Sequence, residues 1–597
     1  MKTLRIFGSI LIGIVFASCN PSNKEEDIIV KENELDQRFN LALSRITDGD
    51  LPRFTSDFIL ADVSLKPQFE RRFTEYSGDI SGRYIQIMSL VKPQNNPIDI
   101  HALVTEALTY QKADGRFGDE SLPFNTSKIE GNQMALLWGN GRLLAGLVEY
   151  YHAYSDEKVL ESAKKLGAFL IGITANISRP EIAQQFKNSA AMGYICFTQL
   201  IEGLVGLYDA TKDKTYLNTA SQIYTYLPER GNQHSHGYLN TLLGVLWLYE
   251  RTNEPAHLEF AQSRVDDLLN STDYLISGGV QEYFGDHLDD PSYNRDEGCS
   301  EADLIFVTHK LWEITGKSFY LEVAEKCLLN HFFFNQFANG EFGHHKIDLK
   351  YGFRPSEIAA HAWWCCNFHG LRALFECRQH SLTEKANTVS INLFFAGKHS
   401  TPSSELNIVK KTGDKVSYKL SVTKFEQGKE LAIRKPTWVE DMSILQNDKE
   451  AIVTEQNGYL VIARIKPNDV ISVSMNYRLI FQKEDRSTLS LESIPAGEYR
   501  AAVFYGPYLL SVDEIYEQAF IAEPGHYNKI FIENSFKFNE KNVPAGTLSP
   551  ETYLQCEYKH GGFYGIHKVV LRPVAETYNM PYPGATQLWF NFLPQKY

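Results

Sequence analysis

Two short stretches hold the residue types from which a metal centre or a nucleophile is built. One is Glu297-Gly298-Cys299; the other is Cys365-Cys366, inside HAWWCCNFHG. Zinc takes about four ligands, favours thiolates and accepts a carboxylate, so these four side chains would make a complete Cys3Glu set. A Glu-x-Cys segment brings both side chains to one ion if its backbone is extended or turned, and Gly298 permits such a turn. Adjacent cysteines serve one ion only if the local backbone is distorted. No Cys-x-x-Cys pair is present. Spacing alone therefore leaves packing, a strained disulfide, a metal site and chemistry on a substrate all open. On spacing alone, unrelated buried thiols beside an exposed glutamate are the more ordinary explanation.

Helices must carry these residues. Four stretches share one pattern: an aromatic (Tyr151, Tyr208, Tyr249, Trp312), a polar turn, a leucine nine residues on (Leu160, Leu217, Leu258, Leu321) and an alanine three further (Ala163, Ala220, Ala261, Ala324). The apolar spacing on both sides of each turn is helical. Short turns such as Ser155-Asp156, Lys212-Asp213 and Thr315-Gly316 join antiparallel helices. The period varies too much for an open solenoid and suits a closed ring with insertions at its mouth. Residues 75–384 are read as an (α/α) barrel. His234 and His236, in NQHSHGYLNTLLG, precede an apolar helix, where they cap it or face the mouth.

After about Ala386 the period becomes two. TVSINLFFAG, KVSYKLSVTKF and VISVSMNYRLIF alternate, with turn residues between them, as in an antiparallel β-sandwich. The expected organisation is a β-sandwich over 385–500 and a C-terminal β-rich region over 501–597. In the N-terminal segment 36–74, the alternation of Phe58 to Leu65 suggests a strand added to the sandwich.

The chain opens with Lys2 and Arg5, an apolar run from Ile6 to Phe16, and small residues before Cys19: a signal peptide over 1–19. Phe16-Ala17-Ser18-Cys19 resembles a bacterial lipobox, which implies lipid on Cys19. NPSNKEED begins a flexible tether over 20–35. The expected location is the cell envelope, outside the cytoplasm, with the membrane as partner through that anchor. A net charge of −14 argues against nucleic acid, whose phosphates need a basic surface. Apart from Cys19, seven cysteines remain. That odd count, without framework spacing, speaks against a disulfide scaffold. Cys196, Cys327 and Cys377 lie in apolar helical stretches and read as buried thiols.

Several segments resemble glycoside hydrolase family 127, the β-L-arabinofuranosidase family. DEGCSEADLIFVTHKLWEITGKSFYLEVAEKC is similar to the stretch around the family's Glu-Thr-Cys motif, and HAWWCCNFHGLRALFE to its Cys-Cys-Pro-Pro-Asn stretch. LAIRKPTW and YRAAVFYGPYLLSVDE resemble its later strands, in the family's order. The resemblance implies an (α/α)6 barrel followed by β-sandwich domains, and zinc (Zn2+) held by Glu297, Cys299, Cys365 and Cys366. It also implies Cys365 as nucleophile and a carboxylic acid upstream of the Glu-x-Cys motif. In SGGVQEYFGDHLDD that acid aligns with Asp286, with Glu282 as rival. His234, His236, His345 and Trp364 would contact the sugar. The implied activity is that of a retaining exo-glycosidase removing a terminal β-L-arabinofuranose or related sugar from plant-type polysaccharide. Cys-Cys-Asn-Phe replaces Cys-Cys-Pro-Pro, Gly298 replaces threonine, and the acid and tyrosine positions differ. The metal set survives while the sugar-facing set changes. Two other readings are an inactive glycan-binding lipoprotein with a structural zinc, and another toroid enzyme such as a polysaccharide lyase, which would leave the adjacent cysteines unexplained.

Overall fold

The computed structural model describes residues 28–30, 33–49, 54–66, 74–182, 193–285, 294–348, 352–354, 364–412, 415–490, 499–513, 529–531, 537–538, 554–559, 567–576 and 585–593. Cys19 and Asp286 lie outside these residues, as do the signal-peptide and lipid-anchor expectations; of Trp364 only the backbone is described. Among the described residues no helix is long and apolar enough to cross a membrane.

Fourteen helices are used below: α1 (Glu34–Thr47), α2 (Ser56–Ser64), α3 (Asp79–Val91), α4 (Ile100–Leu108), α5 (Gly131–Tyr154), α6 (Glu157–Ile177), α7 (Gly193–Thr198), α8 (Ile201–Thr211), α9 (Lys214–Ile223), α10 (Ser235–Thr252), α11 (Pro255–Leu269), α12 (Gly298–Thr315), α13 (Ser318–Cys327) and α14 (Trp364–Ser381). Six of them, α3, α5, α8, α10, α12 and α14, pack each on the next, and α14 returns to α3. Outside this ring α6 lies on α5, α9 on α8, α11 on α10, α13 on α12 and α1 on α14.

The repeated sequence pattern is the hairpin between a ring helix and its outer neighbour. Ser155, Lys212, Asn253 and Gly316 take left-handed backbone conformations just past their helices. Their N–H groups donate to the carbonyls of Tyr151, Tyr208, Tyr249 and Trp312 at 2.7–2.8 Å, which closes the helix ends. The alanines of the pattern are buried where the outer helix meets the ring.

Ring helices α3, α5, α10 and α12 are buried over most of their length, so the charged residues inside the ring are conspicuous. Glu202 accepts from Gln86 Nε2 (2.9 Å), Arg372 Nη1 (3.0 Å), Arg142 Nη1 (3.0 Å) and Asn240 Nδ2 (3.1 Å). Burial opposes its ionisation, but Arg372 and Arg142, with the two amides, outweigh it and hold the carboxyl at about 2. That lies below its value of about 4.3 in an unfolded chain. Its contribution, about 3 kcal/mol, is therefore complete above the unfolded value and is lost as pH falls toward 2. Glu202→Gln is expected to lower the melting temperature at pH 7, with the gap to wild type narrowing as pH drops from 5 to 3. A gap independent of pH would contradict this linkage.

Two expectations for the N-terminal part are corrected. Phe58 to Leu65 is not a strand: the Thr55 side chain caps a helix start at Phe58 N–H. Phe58, Ile59, Leu60, Ala61, Asp62 and Val63 are all buried, so the alternation carries no facial information. Asp62 then accepts from the N–H groups of Ile80 and Ser81 at the start of α3. The strand instead falls in the span read as tether, where Ile28–Val30 pairs antiparallel with Lys410–Thr412.

Strands follow α14 directly. Gly397–Thr401, Ser404–Thr412, Val416–Phe425, Val470–Tyr477 and Val439–Gln446 form an antiparallel sheet. A second sheet runs through Leu382–Lys385, Thr388–Ile391, Glu430–Arg434, Tyr459–Ile462 and Val453–Gln456. Alternating residues such as Ile408, Leu420, Val473, Val389 and Ile433 belong to one buried core. A third sheet holds Leu479–Gln482, Tyr499–Tyr505, Tyr508–Asp513 and later strands. It also takes in the hairpin Lys346–Asp348/Gly352–Arg354, through pairing of Gly352 and Phe353 with Gln587 and Thr586.

Candidate metal centre and cavity

Cys299 stands in the first turn of α12, and Cys365 and Cys366 in the first turn of α14. Two helix N-termini thus converge on the sulfurs, an arrangement that favours thiolates. One ligand atom from each of Glu297, Cys299, Cys365 and Cys366 lies within 4.8 Å of all the others. Cys299 Sγ is 3.6 Å from Cys366 Sγ, and Cys365 Sγ is 4.0 Å from Cys366 Sγ. All three are free thiols. The adjacent cysteines need no backbone distortion, because consecutive residues of a helical turn bring both sulfurs to the cluster.

Gly298 also has a different role from the one expected. It is the first residue of α12, and its backbone needs no conformation special to glycine. A Cβ there would meet Asn335 Oδ1 at 2.8 Å, Phe342 Cβ at 3.0 Å and Cys366 Cβ at 3.3 Å. Glycine is what lets the two cysteine-bearing helices approach.

The sulfurs differ in access. Cys299 and Cys366 have 0% exposure, whereas Cys365 is half-buried and lines a cavity of about 220 Å3. Its walls include Arg83, Trp138, His234, Glu282, Arg295 and His344. Hydrogen bonds from the Cys299 and Cys366 thiols, with Arg83 adding to them against burial, hold the Cys365 thiol well below the ordinary range. Burial pushes those of Cys299 and Cys366 up. A larger cavity, about 480 Å3, is lined by Tyr274, Lys326, Arg486 and Trp589 among others; no member of the cysteine cluster reaches it.

Glu297 precedes α12 and accepts from Ser300 Oγ at 3.0 Å. His234 Nε2 lies 3.1 Å from the same carboxylate oxygen, Oε2. Burial opposes the charge on Glu297, but His234, then His344 and Ser300, hold its carboxyl at about 2. The reciprocal pull of Glu297 raises His234 against its own burial.

Glu282 is 7% exposed and sits in the cavity wall. A carboxyl oxygen of it lies within 4.8 Å of ligand atoms of both His234 and Glu297. Its backbone is stitched on both sides: Glu282 N–H donates to Arg295 O (2.8 Å) and Ser235 N–H to Glu282 O (2.9 Å). Arg295 grips the carboxylate through both Nε and Nη2.

Two histidine expectations are corrected. His345 does not line the cavity. Its ring packs between Phe334 and Phe337, and its Nδ1 is 3.1 Å from Asp296 Oδ2. His344 faces the cavity instead, with Nδ1 donating to the Asp296 carbonyl at 2.7 Å. Asp296, also bonded to His331 Nε2 at 3.1 Å, ties the 344–345 segment to the loop before α12. Burial opposes its charge, but His345 and His331 hold the carboxyl far below the usual range. His236 does line the cavity, but both its ring nitrogens are engaged. Nδ1 bonds Asp303, and Nε2 faces Arg83 Nη2 (2.7 Å) and Arg142 Nη2 (3.2 Å). It has no nitrogen left for a sugar hydroxyl.

Arg83, Asp303, Arg295, Asp79 and Trp138 were missed by sequence reasoning. A signal existed for the first two: each is a charged residue inside an apolar run, DISGRYIQIMSLV and CSEADLIFV, where burial demands a partner.

Comparison with known proteins bears on this centre. Residues 98–379 match the model of the GH127 β-L-arabinofuranosidase catalytic domain. Among solved structures, the GH127 β-L-arabinofuranosidase Ara127N from Geobacillus stearothermophilus T6 aligns at TM-score 0.65 and 14% identity, over 95% of this chain and 100% of that one. A GH127 β-arabinofuranosidase aligns at 0.65 and 16%, over 95% and 96% of the two chains. A further glycoside hydrolase aligns at 0.63 and 16%, over 96% and 99%. No curated protein matches the sequence. At such identities the structural likeness speaks to the fold, with its helical part and antiparallel sheets.

Proposed function

This chain belongs to glycoside hydrolase family 127 through its catalytic domain, and from that premise we propose a zinc-dependent, retaining exo-glycosidase with Cys365 as nucleophile. Its substrate is a terminal β-L-arabinofuranose or a related sugar of a plant-type polysaccharide. The observation that carries this reading is a cluster of three free thiols and one carboxylate at the wall of a cavity, with one sulfur open to it. The ring of six helices with outer partners supports the (α/α)6 barrel.

The four residues fit zinc. Bonds of about 2.3 Å to sulfur in a tetrahedron place two sulfurs about 3.8 Å apart, and the separations here are 3.6 and 4.0 Å. Bound by Glu297, Cys299, Cys365 and Cys366, zinc would keep the thiols deprotonated at neutral pH. The chain's own residues do the rest. Cys365 Sγ attacks the anomeric carbon, and the glycosidic C–O bond breaks with its electrons on the leaving oxygen. Glu282 gives that oxygen a proton. Water then displaces the sulfur, Glu282 takes the water's proton, and Cys365 is restored. Two displacements at one carbon return the starting configuration. Asp286, with which the resemblance aligns this acid, lies outside the described residues and is the alternative. The cavity is smaller than the roughly 300–1,000 Å3 usual for drug-sized ligands, which suits a single terminal sugar.

On an aryl β-L-arabinofuranoside, proton NMR of the first turnovers is expected to show the β anomer of the free sugar before mutarotation. Elemental analysis of the purified chain is expected to find about one zinc per molecule. Stripping it should lower both the melting temperature and activity. Initial release of the α anomer, or a chain that purifies active without metal, would overturn the reading.

A further inference from the structure

Beneath the cavity lies a buried chain of contacts that the proposed reaction does not use. Asp303, 0% exposed, stands one helical turn beyond Cys299 on α12. Its Oδ2 contacts His236 Nδ1, and its Oδ1 is 2.8 Å from His369 Nε2. On the far side of His236, Nε2 meets two guanidinium nitrogens, from Arg83 and Arg142. Guanidinium nitrogens only donate, so Nε2 must accept. The His236 proton therefore sits on Nδ1 and is donated to Asp303, which assigns a neutral ring in one tautomer. Burial, followed by Arg83 and Arg142, holds His236 well below its usual value, in agreement with that assignment.

Arg83 is the end of this chain. Its Nε donates to Asp79 Oδ1 at 2.8 Å, its Nη2 to His236, and its Nη1 lies 3.9 Å from Cys299 Sγ. Asp79 is held in turn by Trp138 Nε1 at 3.0 Å. Arg83 is 4% exposed, and what it exposes faces the cavity. Three thiolates and a carboxylate around a divalent ion carry two net negative charges, and a fixed guanidinium beside a sulfur offsets part of that excess.

We propose that Arg83 is the cation of the sulfur site, and that Asp303, acting through neutral His236, is the positioning residue that holds it against the cluster. His369 braces the second oxygen of Asp303. This rests on the proposed reading for its meaning in catalysis, but the contact itself does not depend on glycosidase activity.

The test uses thiol alkylation of the full chain as purified, followed at Cys365 by mass spectrometry with neutral iodoacetamide and anionic iodoacetate. The rate ratio of iodoacetate to iodoacetamide reports the local field. In Arg83→Met the ratio is expected to fall about tenfold, the effect of removing one nearby charge at intermediate dielectric. Asp303→Asn should lower it at least threefold, yet change nothing further in an Arg83→Met background, because its effect passes through Arg83. If Asp303→Asn does not fold, His236→Met breaks the same link and should give the same fall. An unmoved ratio in Arg83→Met, an Asp303→Asn effect that persists without Arg83, or a Cys365 that resists both reagents overturns the proposal. A wild type inactive on arabinofuranosides that still shows these ratios would overturn the proposed function and leave this inference standing.

Discussion

Cys365→Ala is expected to lower kcat on an aryl β-L-arabinofuranoside by roughly 10,000-fold or more, the scale on which enzymes lose activity with their nucleophile. Of the three clustered thiols, Cys365 is the one that lines the cavity, while Cys299 and Cys366 have no exposed surface. Losing a ligand alone would also impair the site, so activity needs a companion measurement. With a good leaving group and added azide, Cys365→Ala should form a glycosyl azide of inverted configuration, because azide enters through the space the sulfur held and only one displacement occurs. Cys366→Ala keeps the attacking sulfur, and any azide product should be minor. Turnover by Cys365→Ala within tenfold of wild type would remove the nucleophile assignment.

The acid is decided by leaving groups. Glu282→Gln is expected to lower kcat/KM on an unactivated alkyl arabinofuranoside by about 1,000-fold, while kcat/KM on a nitrophenyl substrate, whose leaving group needs no proton and which does not report the later attack of water, falls about tenfold or less. Glu282 has the placement for this: it is buried in the cavity wall and comes within 4.8 Å of Glu297 and His234 at a ligand atom. Asp286→Asn serves as the comparison. If it shows the leaving-group-dependent loss and Glu282→Gln does not, the role passes to Asp286.

Helix hairpins were legible because each combined a 3.6-residue period with a turn that closes its helix, as at Tyr151–Ser155 and Trp312–Gly316. The clustering of Glu297, Cys299, Cys365 and Cys366 was legible only with the family resemblance, since Glu297 and Cys366 lie far apart in sequence and no spacing rule links them. Where one-dimensional pattern failed, burial on all sides was the cause. In FILADV every residue is enclosed, so period two carried no information about a face. The His344–His345 pair went wrong for a related reason. Either neighbour could have faced the sugar, and the choice depends on Asp296, a residue 48 positions away from His344 that anchors both backbone and ring. Arg83 and Asp303 were visible as isolated charges in apolar helices, but pairing them required knowing which helices touch.

The hairpin Lys346–Arg354 has a consequence for what counts as the working unit. One of its strands is zipped to Thr586–Gln587; the other bridges Arg295 through Lys346, and Arg295 in turn clasps Glu282. A protease nick or a stop codon near residue 585 would thus be felt at the cavity wall, through a splint that joins the middle of the polypeptide to its C-terminal part. Residues 98–379, excised as a minimal catalytic module, would leave that splint without its far anchor.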